Sequence, residues 1–378
     1  MIVKSLGLEN FRNHKDTKII FSDRFNIIYG DNGQGKTNIL EAIYLCASGR
    51  SHRTPKDSEL IRFGNDSYSV NTFVYNGGLD RNININYFQD QKKQIRINDI
   101  PIKKIGSLMG NLYAVLFSPE DLFIVKQGPM ERRRFVDITL SQIRPSYFYN
   151  LQILAKILKQ RNILLKTINC KPELADTIDV WNVKLAEVAA DIVIERQNFV
   201  KLLSELARKQ HKFLTTEKEL ISFDYSCNIK IDKEKNCKGE LINLYLRQLE
   251  KSITRDIFLG YTSIGPHRDD YDILINGKSL KLYGSQGQQR SAVLSLKIAE
   301  IELINLETGQ FPVLLLDDVM SELDESRQKY LMESINNVQT FITCTSDIHF
   351  KNILKSSSKY FRVDNGAVIN CFKNDSLQ

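Results

Sequence analysis

The sequence predicts an α/β protein in which a nucleotide-binding layer is interrupted by an inserted helical region. Three observations support this fold class. A glycine-rich phosphate-binding pattern at residues 30–37 follows a short apolar run. A second apolar run, at residues 313–316, is followed by two aspartates. A phosphate-binding pattern needs an acidic partner of this kind. Between the two motifs, the spacing of the apolar residues changes from that of strands to that of helices.

The composition is that of an ordinary globular protein. The chain has 378 residues, which corresponds to two or three domains, and is 42% hydrophobic and 26% charged. No stretch approaches the roughly 18 apolar residues of a membrane span, and the first ten residues lack the apolar core of a secretory signal. The six cysteines form no C-x-x-C pair. We therefore expect a cytoplasmic protein with reduced cysteines, without a zinc site and without a membrane partner.

The first hundred residues predict mainly strands. Residues 25–29 form an apolar run that ends at a glycine. Asn76-Gly77-Gly78 separates runs at 68–75 and 82–88, which is typical of a hairpin, and residues 94–97 continue the pattern. In the second run, isoleucines alternate with asparagines, as expected for an antiparallel strand with one buried face.

A further strand is predicted at 114–117. Ser118-Pro119-Glu120-Asp121 then predicts the start of a helix, because serine caps helices and proline and acids favour their first turn. From about 131 to 212 the apolar residues recur at helical spacing, and another helix is expected at 240–251.

The remainder predicts a return to alternating strands and helices. Residues 313–316 and 341–345 read as buried strands, and a glycine turn at 284 leads into a helix through 299. The sequence thus predicts three segments. They are the N-terminal half of a nucleotide-binding head at 1–130, a helical arm at 131–252 and the C-terminal half of the head at 253–378.

The first motif predicts a P-loop. It fits G-x-x-x-x-G-K-[ST] and consists of Gly30, Asp31, Asn32, Gly33, Gln34, Gly35, Lys36 and Thr37. The glycines allow backbone N–H groups to surround the phosphates of ATP. Lys36 is expected to reach the β- and γ-phosphates, and the Thr37 hydroxyl to ligate Mg²⁺. The dinucleotide pattern G-x-G-x-x-G is not met.

The second motif supplies the acids. Asp317 follows the apolar run and is expected to hold Mg²⁺ together with Thr37, whereas Asp318 is placed to polarise the attacking water. We therefore expect Lys36, Asp317 and Asp318 to be the catalytic residues. The roughly 280 residues between the two halves indicate a large insertion.

Two further motifs resemble those of ABC-type ATPases. One is a signature motif, in which a Ser, a Gly and a helix N-terminus form an anion site; it contains Ser285, Gln286, Gly287, Gln288 and Gln289. Gln286 stands where ABC proteins usually have a glycine. The other resembles their D-loop and ends at Asp324. In ABC-type proteins both motifs face the nucleotide of the other subunit, and the four motifs occur here in the ABC order.

Over nearly its whole length the chain is similar to the RecF family, in the SMC-like branch of ABC ATPases. The motifs that carry the resemblance, besides the P-loop and the signature, are Leu8–Asn13, Gly49–Thr54, Phe117–Leu122, Arg132–Asp137 and Gly265–Asp270. The resemblance implies an SMC-like P-loop ATPase head with an antiparallel β subdomain and an inserted helical arm.

The resemblance also implies a function. Members of the family form ATP-dependent dimers, bind double-stranded DNA near gaps, act with RecO and RecR to load RecA on single-stranded DNA, and hydrolyse ATP slowly, as a weak DNA-stimulated ATPase. Arg12 and Asn13 are implied to lie near the nucleotide, and Arg53 near the γ-phosphate. The predicted strand at 341–345 corresponds to the switch strand of ABC proteins but ends without its usual histidine, so Thr345 or Ser346 is expected in that place. Asp318 likewise replaces the usual glutamate.

The excess of positive charge lies in one part of the chain. Residues 101–166 hold eleven Lys and Arg and four Asp and Glu, a net charge of +7 that equals that of the whole chain. The candidate phosphate contacts are Lys103, Lys104, Arg132, Arg133 and Arg134. A solvated helical face is the alternative for each of them. Without a base-reading motif, DNA binding would be mostly independent of sequence.

Of three other functions, one is excluded and two stay open. His267-Arg268-Asp269 matches a kinase triplet, but the asparagine expected five residues later is Leu274, which excludes a kinase. The motif order alone also allows the ATPase subunit of a membrane transporter. A passive scaffold, in which ATP only latches a conformation, is the third possibility.

Overall fold

The computed structural model describes residues 1–168, 170–231, 237–346 and 358–373. The chain divides into two compact units. Unit 1 comprises Met1–Asp121 and Lys297–Gln378, and unit 2 comprises Leu122–Leu296. The limits 131–252 of the helical arm stay a prediction, because a division by compactness groups the arm with its flanking segments.

Unit 1 contains a mixed six-stranded sheet in which five neighbouring strands are parallel. Its strands, numbered in chain order and given in spatial order, are β15 (Ala367–Lys373), β14 (Ser358–Asp364), β3 (Phe25–Tyr29), β13 (Thr340–Cys344), β12 (Val313–Leu316) and β8 (Ala114–Phe117). The strands predicted at 25–29, 114–117 and 313–316 are confirmed to the residue. Their side chains are almost all buried, as expected of a parallel sheet.

Unit 1 also contains an antiparallel six-stranded sheet. In spatial order it is formed by β2 (His14–Ile20), β1 (Ile2–Phe11), β4 (Ser67–Tyr75), β5 (Arg81–Phe88), β6 (Gln94–Ile97) and β7 (Ile100–Ile102). The hairpin predicted around Asn76 joins β4 and β5. The isoleucines of β5 are buried and its asparagines half-buried, which confirms the alternation.

Helix α1 (Lys36–Ser48) contacts strands of both sheets, and most of its side chains are buried. Helix α9 (Glu325–Ser334) belongs to the same unit. Helix α8 (Gln286–Thr308) begins in unit 2 and ends in unit 1. The sequence predicted α8 only through residue 299.

Unit 2 is mainly helical. Its helices are α2 (Phe123–Lys126), α3 (Pro129–Ile143), α4 (Pro145–Ile168), α5 (Ile178–Leu214), α6 (Lys238–Leu259) and α7 (Leu280–Tyr283), and its sheet contains β9 (Ile221–Ser226), β10 (Asp270–Ile275) and β11 (Lys278–Ser279). With 37 residues, α5 is about 55 Å long. The helix expected to begin at Ser118 is only a 3₁₀ turn followed by one turn of α2, since Gly128 and Pro129 then start α3.

A buried ionic cluster connects the elements of unit 2. We call Asp137, Arg196 and Asp269 the carboxylate-rich cluster. Arg196 is 1% exposed and donates to both oxygens of Asp137, at 2.9 and 3.1 Å, and to Asp269 at 3.3 Å. Asp269 also accepts from the Asn228 backbone N–H and the Tyr225 hydroxyl, and its burial raises its pKa. Asp269 of the His267-Arg268-Asp269 segment is thus part of the core of unit 2, whereas Arg268 is exposed.

Among the described residues, no helix has the length and apolarity needed to span a membrane. The same residues contain no group of three or more metal-ligating side chains. Among them, Cys46, Cys170, Cys227, Cys237 and Cys344 are not in disulfide bonds.

Candidate nucleotide site

The P-loop and both acids lie at one edge of the parallel sheet. Residues 30–35 connect β3 to α1, and Asp317 and Asp318 directly follow β12. Because β3, β13 and β12 are parallel neighbours, the residues that follow them meet at the carboxyl edge of the sheet. This edge is where open α/β sheets bind ligands.

The loop backbone requires its glycines. Gly30, Gly33 and Gly35 have φ values of 148°, 81° and 112°, which side-chain-bearing residues rarely adopt. A Cβ atom on Gly30 would overlap the carbonyl oxygen of Val363, and one on Gly35 would lie 2.5 Å from Asn13 Oδ1. The exposed surface of the loop consists of Asp31, Asn32 and Gly33.

Lys36 lies under this loop and is 4% exposed. Its ammonium group donates to the carbonyl oxygens of Gly30, at 2.6 Å, and Asp31, at 2.9 Å. These contacts keep the buried charge hydrogen-bonded. A phosphate in the loop would offer the same ammonium group a charged acceptor.

Thr37 and Asp317 meet as the sequence predicted. The Thr37 hydroxyl donates to Asp317 Oδ1 at 2.8 Å, and Thr343 of β13 donates to the same oxygen at 2.8 Å. Burial raises the pKa of Asp317, although both hydroxyl donors act against that rise. Thr343 also accepts from the Asp318 backbone N–H at 2.9 Å, so a single threonine orients both acids.

Asp318 has left-handed backbone geometry, with φ of 52° and ψ of 15°. Aspartate and asparagine tolerate this conformation better than most residues. The Asp318 carbonyl accepts from the Ser321 hydroxyl at 2.8 Å. Of the two residues expected in place of the switch histidine, Thr345 is exposed and Ser346 half-buried, and their role stays a prediction.

Beside the P-loop lie Arg12, Glu41 and Arg53, which we call the arginine-rich cluster. Glu41 of α1 is completely buried and accepts two hydrogen bonds from Arg12, at 2.7 and 2.9 Å. Arg53 lies 3.7 Å from the same carboxylate and donates to Asn38 at 3.2 Å. Burial alone would raise the pKa of Glu41, but hydrogen bonds from Arg12 and Ser51 and the two arginine charges hold it below its usual value.

Asn13 supports the loop. Its side-chain amide donates to the Gln34 carbonyl at 2.8 Å, and its Oδ1 accepts from Asn38 at 2.8 Å. The expectation that Asn13 lies near the nucleotide therefore stays a prediction, with a loop-supporting role beside it.

The signature residues begin α8, in unit 2. Ser285 caps the helix, since its hydroxyl accepts from the Gln288 N–H at 3.2 Å and its own N–H donates to Gln288 Oε1 at 2.9 Å. This reciprocal pair is a capping box. Gln288 also donates to Glu219 at 2.8 Å, and Gln289 is buried. Ser285 and Gln286 are exposed and Gly287 is half-buried.

Asp324 caps α9 in unit 1. Its carboxylate accepts from the Arg327 backbone N–H at 2.9 Å and is paired with the Arg327 guanidinium. Its side chain is 54% exposed, so one capping residue also offers a charged surface.

The basic residues differ in their surroundings. Lys103 and Lys104 are exposed in unit 1. In unit 2, Arg134 is exposed, and Arg133 is half-buried and donates to the Asp269 carbonyl at 2.6 Å.

Arg132 requires a correction. It is 6% exposed, donates to both oxygens of Asp270 at 2.7 and 2.9 Å, and reaches the carbonyls of Ile124 and Gln127. This guanidinium is almost fully buried and uses four of its five N–H donors within unit 2. Arg132 is therefore a structural residue of unit 2 and not a phosphate contact.

Sequence reasoning missed Glu41 and Thr343. Glu41 lies in the helix that follows the P-loop, and a charged residue in a largely apolar helix was the available signal. Thr343 lies inside the predicted switch strand, but nothing in its neighbourhood marks it as the partner of Asp317.

Comparisons with known proteins identify the family of this chain. The family model for the RecF/RecN/SMC N-terminal domain matches residues 2–368. The DNA replication and repair protein RecF of Ruminiclostridium cellulolyticum is 68% identical over 98% of this chain and 100% of its own length. The RecF of Acetivibrio thermocellus is 52% identical over 97% and 99%.

Solved structures give the same result. The recombination mediator protein RecF with ATP, from the RecFOR pathway, superposes with a TM-score of 0.91 at 38% identity, covering 98% of this chain and 97% of that one. An SMC head bound to the C-terminal winged-helix domain of ScpA shares the fold, with a TM-score of 0.58 at 15% identity over 99% and 98% of the two chains.

The fold and the site together define a P-loop ATPase head of the SMC-like ABC class. Sequence and structure are similar to RecF over almost the full length of both chains. The chain belongs to the RecF family.

Proposed function

We propose that this chain is an ATP-switched DNA-binding protein of recombinational repair and replication-gap processing. ATP closes two copies into a dimer, the dimer holds double-stranded DNA near gaps, and slow, DNA-stimulated hydrolysis releases it. The observation that carries the proposal is the convergence of Lys36, Thr37 and Asp317 on a glycine loop, in a chain that also carries a capped signature helix.

Nucleotide binding depends on the loop backbone and Lys36. The glycines of the loop have positive φ values, and in such a backbone the N–H groups would face the phosphates and donate to them. Lys36 would exchange two carbonyl acceptors for a charged phosphate, which is the stronger partner. A solved RecF structure that contains ATP, 38% identical to this chain, supports this step.

Thr37 and Asp317 fit a bound Mg²⁺. Their oxygens lie 2.8 Å apart, and hydroxyl and carboxylate oxygens are the hard ligands that this ion prefers. When bound, Mg²⁺ would neutralise negative charge on the phosphates. Asp318 would accept a proton from the attacking water, and the Thr343 hydroxyl keeps its backbone in place.

The signature would act on the nucleotide of a second copy. Ser285 uses its hydroxyl oxygen as the cap acceptor, so its O–H remains able to donate to a phosphate. The N-terminus of a 23-residue helix adds a partial positive charge. The γ-phosphate would thus connect the two subunits, and its removal would open the dimer. Asp324 would face the same interface.

DNA would be held by its phosphates. Lys103, Lys104, Arg133 and Arg134 remain as candidate contacts after the exclusion of Arg132. None of them belongs to a base-reading motif, so we expect a strong salt dependence and little sequence preference. By family membership, RecO and RecR are the expected partners, and RecA loading on single-stranded DNA in the cytoplasm is the expected outcome.

Sedimentation velocity with ATP–Mg²⁺ tests the dimer. Ser285→Asp should remain monomeric, because Asp still caps α8 but repels a phosphate. Ser285→Asn is the matched control, since it caps equally well without the charge. Lys36→Arg should weaken the response to ATP, and Asp318→Asn, which tolerates the left-handed backbone, should hold the dimer closed. Equal dimerisation of the Asp and Asn variants at position 285 would contradict a trans signature site.

The passive scaffold makes a different prediction for the same variants. If hydrolysis has no role, Asp318→Asn should load and release DNA like the unmodified protein. Persistent DNA binding by that variant after ATP is withdrawn would exclude the scaffold.

A further inference from the structure

A hairpin turn near the C-terminal end of the chain contacts the P-loop. Strand β14 lies beside β3, with Arg362 opposite Tyr29, and β14 and β15 are joined by a two-residue turn, Asn365-Gly366. We call these two residues the supporting turn. Their φ values of 45° and 76° are those of the turn type that Asn-Gly favours.

The supporting turn binds the loop through backbone groups. The Gly366 N–H donates to the Gln34 carbonyl at 2.9 Å, and the Asn365 N–H donates to Gln34 Oε1 at 2.5 Å. The Gln34 carbonyl also accepts from the Asn13 side chain, so two donors from two separate hairpins hold one oxygen.

This contact controls the direction of a phosphate-binding group. The peptide between Gln34 and Gly35 is planar and trans, so its C=O and N–H point in opposite directions. Two donors on the Gln34 oxygen therefore keep the Gly35 N–H turned away from them. His14 acts on the next peptide in the same way, since its Nε2 lies 3.1 Å from the Gly35 carbonyl and thereby fixes the Lys36 N–H.

The fit leaves no room for a side chain. A Cβ atom on Gly366 would overlap the Asn13 carbonyl oxygen. The buried Thr17 of β2 fixes the turn from the other side, because its hydroxyl donates to the Gly366 carbonyl at 3.2 Å.

We propose that the supporting turn is a positioning element of the nucleotide site, which sets the affinity for the phosphates by orienting the Gly35 N–H. Asn365 and Gly366 are positioning residues that act through Gln34. Thr17 is a positioning residue that acts through Gly366 and also through His14, whose Nδ1 lies 3.1 Å from the Thr17 hydroxyl. The proposal rests on nucleotide binding by this chain, and it assigns part of that binding to a hairpin more than 300 residues from the P-loop.

Gly366→Ala tests the proposal against Gly77→Ala. Gly77 also lies in a hairpin turn of unit 1 with a positive φ, but a Cβ there would meet nothing within 4 Å. Binding of fluorescent ADP and ATP is titrated at a temperature where circular dichroism shows both variants folded. Gly366→Ala should bind both nucleotides about tenfold more weakly than Gly77→Ala, with an unchanged ratio between them, because the backbone amides face phosphates that ADP and ATP share. Equal affinities of the two variants would overturn the proposal.

A second pair decides the matter if Gly366→Ala does not fold. Thr17→Val removes the hydroxyl without adding volume and should weaken both nucleotides several-fold, whereas Thr17→Ser should restore the affinity. Equal affinity of the Val and Ser variants would overturn the proposal. If the unmodified protein binds neither nucleotide, the proposed function itself fails.

Discussion

The arginine-rich cluster and the carboxylate-rich cluster have opposite ratios of positive to negative side chains. The arginine-rich cluster beside the P-loop has two arginines around one buried glutamate, and the Arg53 side chain is 44% exposed. The carboxylate-rich cluster of unit 2 has two aspartates around one arginine that is 1% exposed. The first has an unneutralised positive charge near solvent, and the second has its cation fully enclosed.

The difference indicates what each cluster is for. A buried cation surrounded by carboxylates and hydroxyls has its donors satisfied and can only hold elements together. A cluster with surplus cation near a phosphate loop still has charge to offer a ligand. Resemblance to a family does not separate the two cases, since both clusters lie in or contact family motifs.

Breaking the carboxylate-rich cluster should give the largest effect. Arg196→Leu would leave Asp137 and Asp269 without their cation, and we expect a loss of about 3–5 kcal/mol in the free energy of unfolding. Trp181 of α5 is the only tryptophan of the chain, so its fluorescence in urea reports on unit 2. Arg208→Leu, at an exposed position of the same helix, should cost less than about 0.5 kcal/mol. Similar losses in both variants would contradict the structural role of the cluster.

Arg132 and Arg134 extend the comparison to neighbouring positions of α3. Arg132→Ala should destabilise unit 2 by about 2 kcal/mol, because Asp270 loses a paired donor, and should leave the salt dependence of DNA binding unchanged. Arg134→Ala should leave stability unchanged and lower the salt-dependence slope by about 1. Urea unfolding and DNA titrations at several salt concentrations measure both quantities. A reduced slope in Arg132→Ala would restore it as a phosphate contact.

A substitution in the arginine-rich cluster should change the affinity for nucleotides. Arg53→Ala should weaken the binding of ATP about tenfold, or ~1.4 kcal/mol, and that of ADP much less, if Arg53 lies near the γ-phosphate as the family resemblance implies. Titration of both nucleotides measures the ratio. Lys56→Ala, another exposed cation of the same segment, is the control. An equal loss for ADP and ATP would place Arg53 elsewhere on the nucleotide.

The smallest expected effect concerns pH. Burial lowers the pKa of His267, next to the carboxylate-rich cluster, to about 4. Between about pH 4 and pH 6.5, His267 is therefore protonated mainly in the unfolded chain. Stability from this group is complete above pH 6.5 and declines as pH falls from there toward 4. Between pH 6.5 and pH 5 the unmodified protein should lose on the order of 1 kcal/mol more of its free energy of unfolding than His267→Gln does. The Gln side chain keeps an N–H donor to the Thr262 carbonyl but does not titrate. Parallel pH profiles of unfolding would contradict this.

The sequence predicts best what local patterns determine. The bounds of β8 and β12 follow from short apolar runs with polar neighbours, and the Thr37–Asp317 contact follows from the chemistry of the P-loop. Helix lengths are less well predicted, as in α6, which was expected at 240–251 and spans Lys238–Leu259. Apolar periodicity weakens near the ends of an amphipathic helix, although the backbone continues.

Contacts between distant segments that no known motif links could not be predicted from the sequence. Arg132 lies in a basic run, and charge composition does not reveal that Asp270 neutralises it 138 residues later. Gly366 was not singled out, since its role depends on β14 pairing with β3. The burial of Glu41 likewise depends on two arginines from separate turns.

The central claim is that ATP controls DNA binding. Fluorescence anisotropy of labelled duplex DNA, titrated with the full chain at fixed salt in ATP–Mg²⁺, in ADP–Mg²⁺ and without nucleotide, tests it most directly. The account predicts tight binding with ATP and much weaker binding in the other two conditions. Equal binding in all three, or none in any, would contradict a nucleotide-closed DNA clamp.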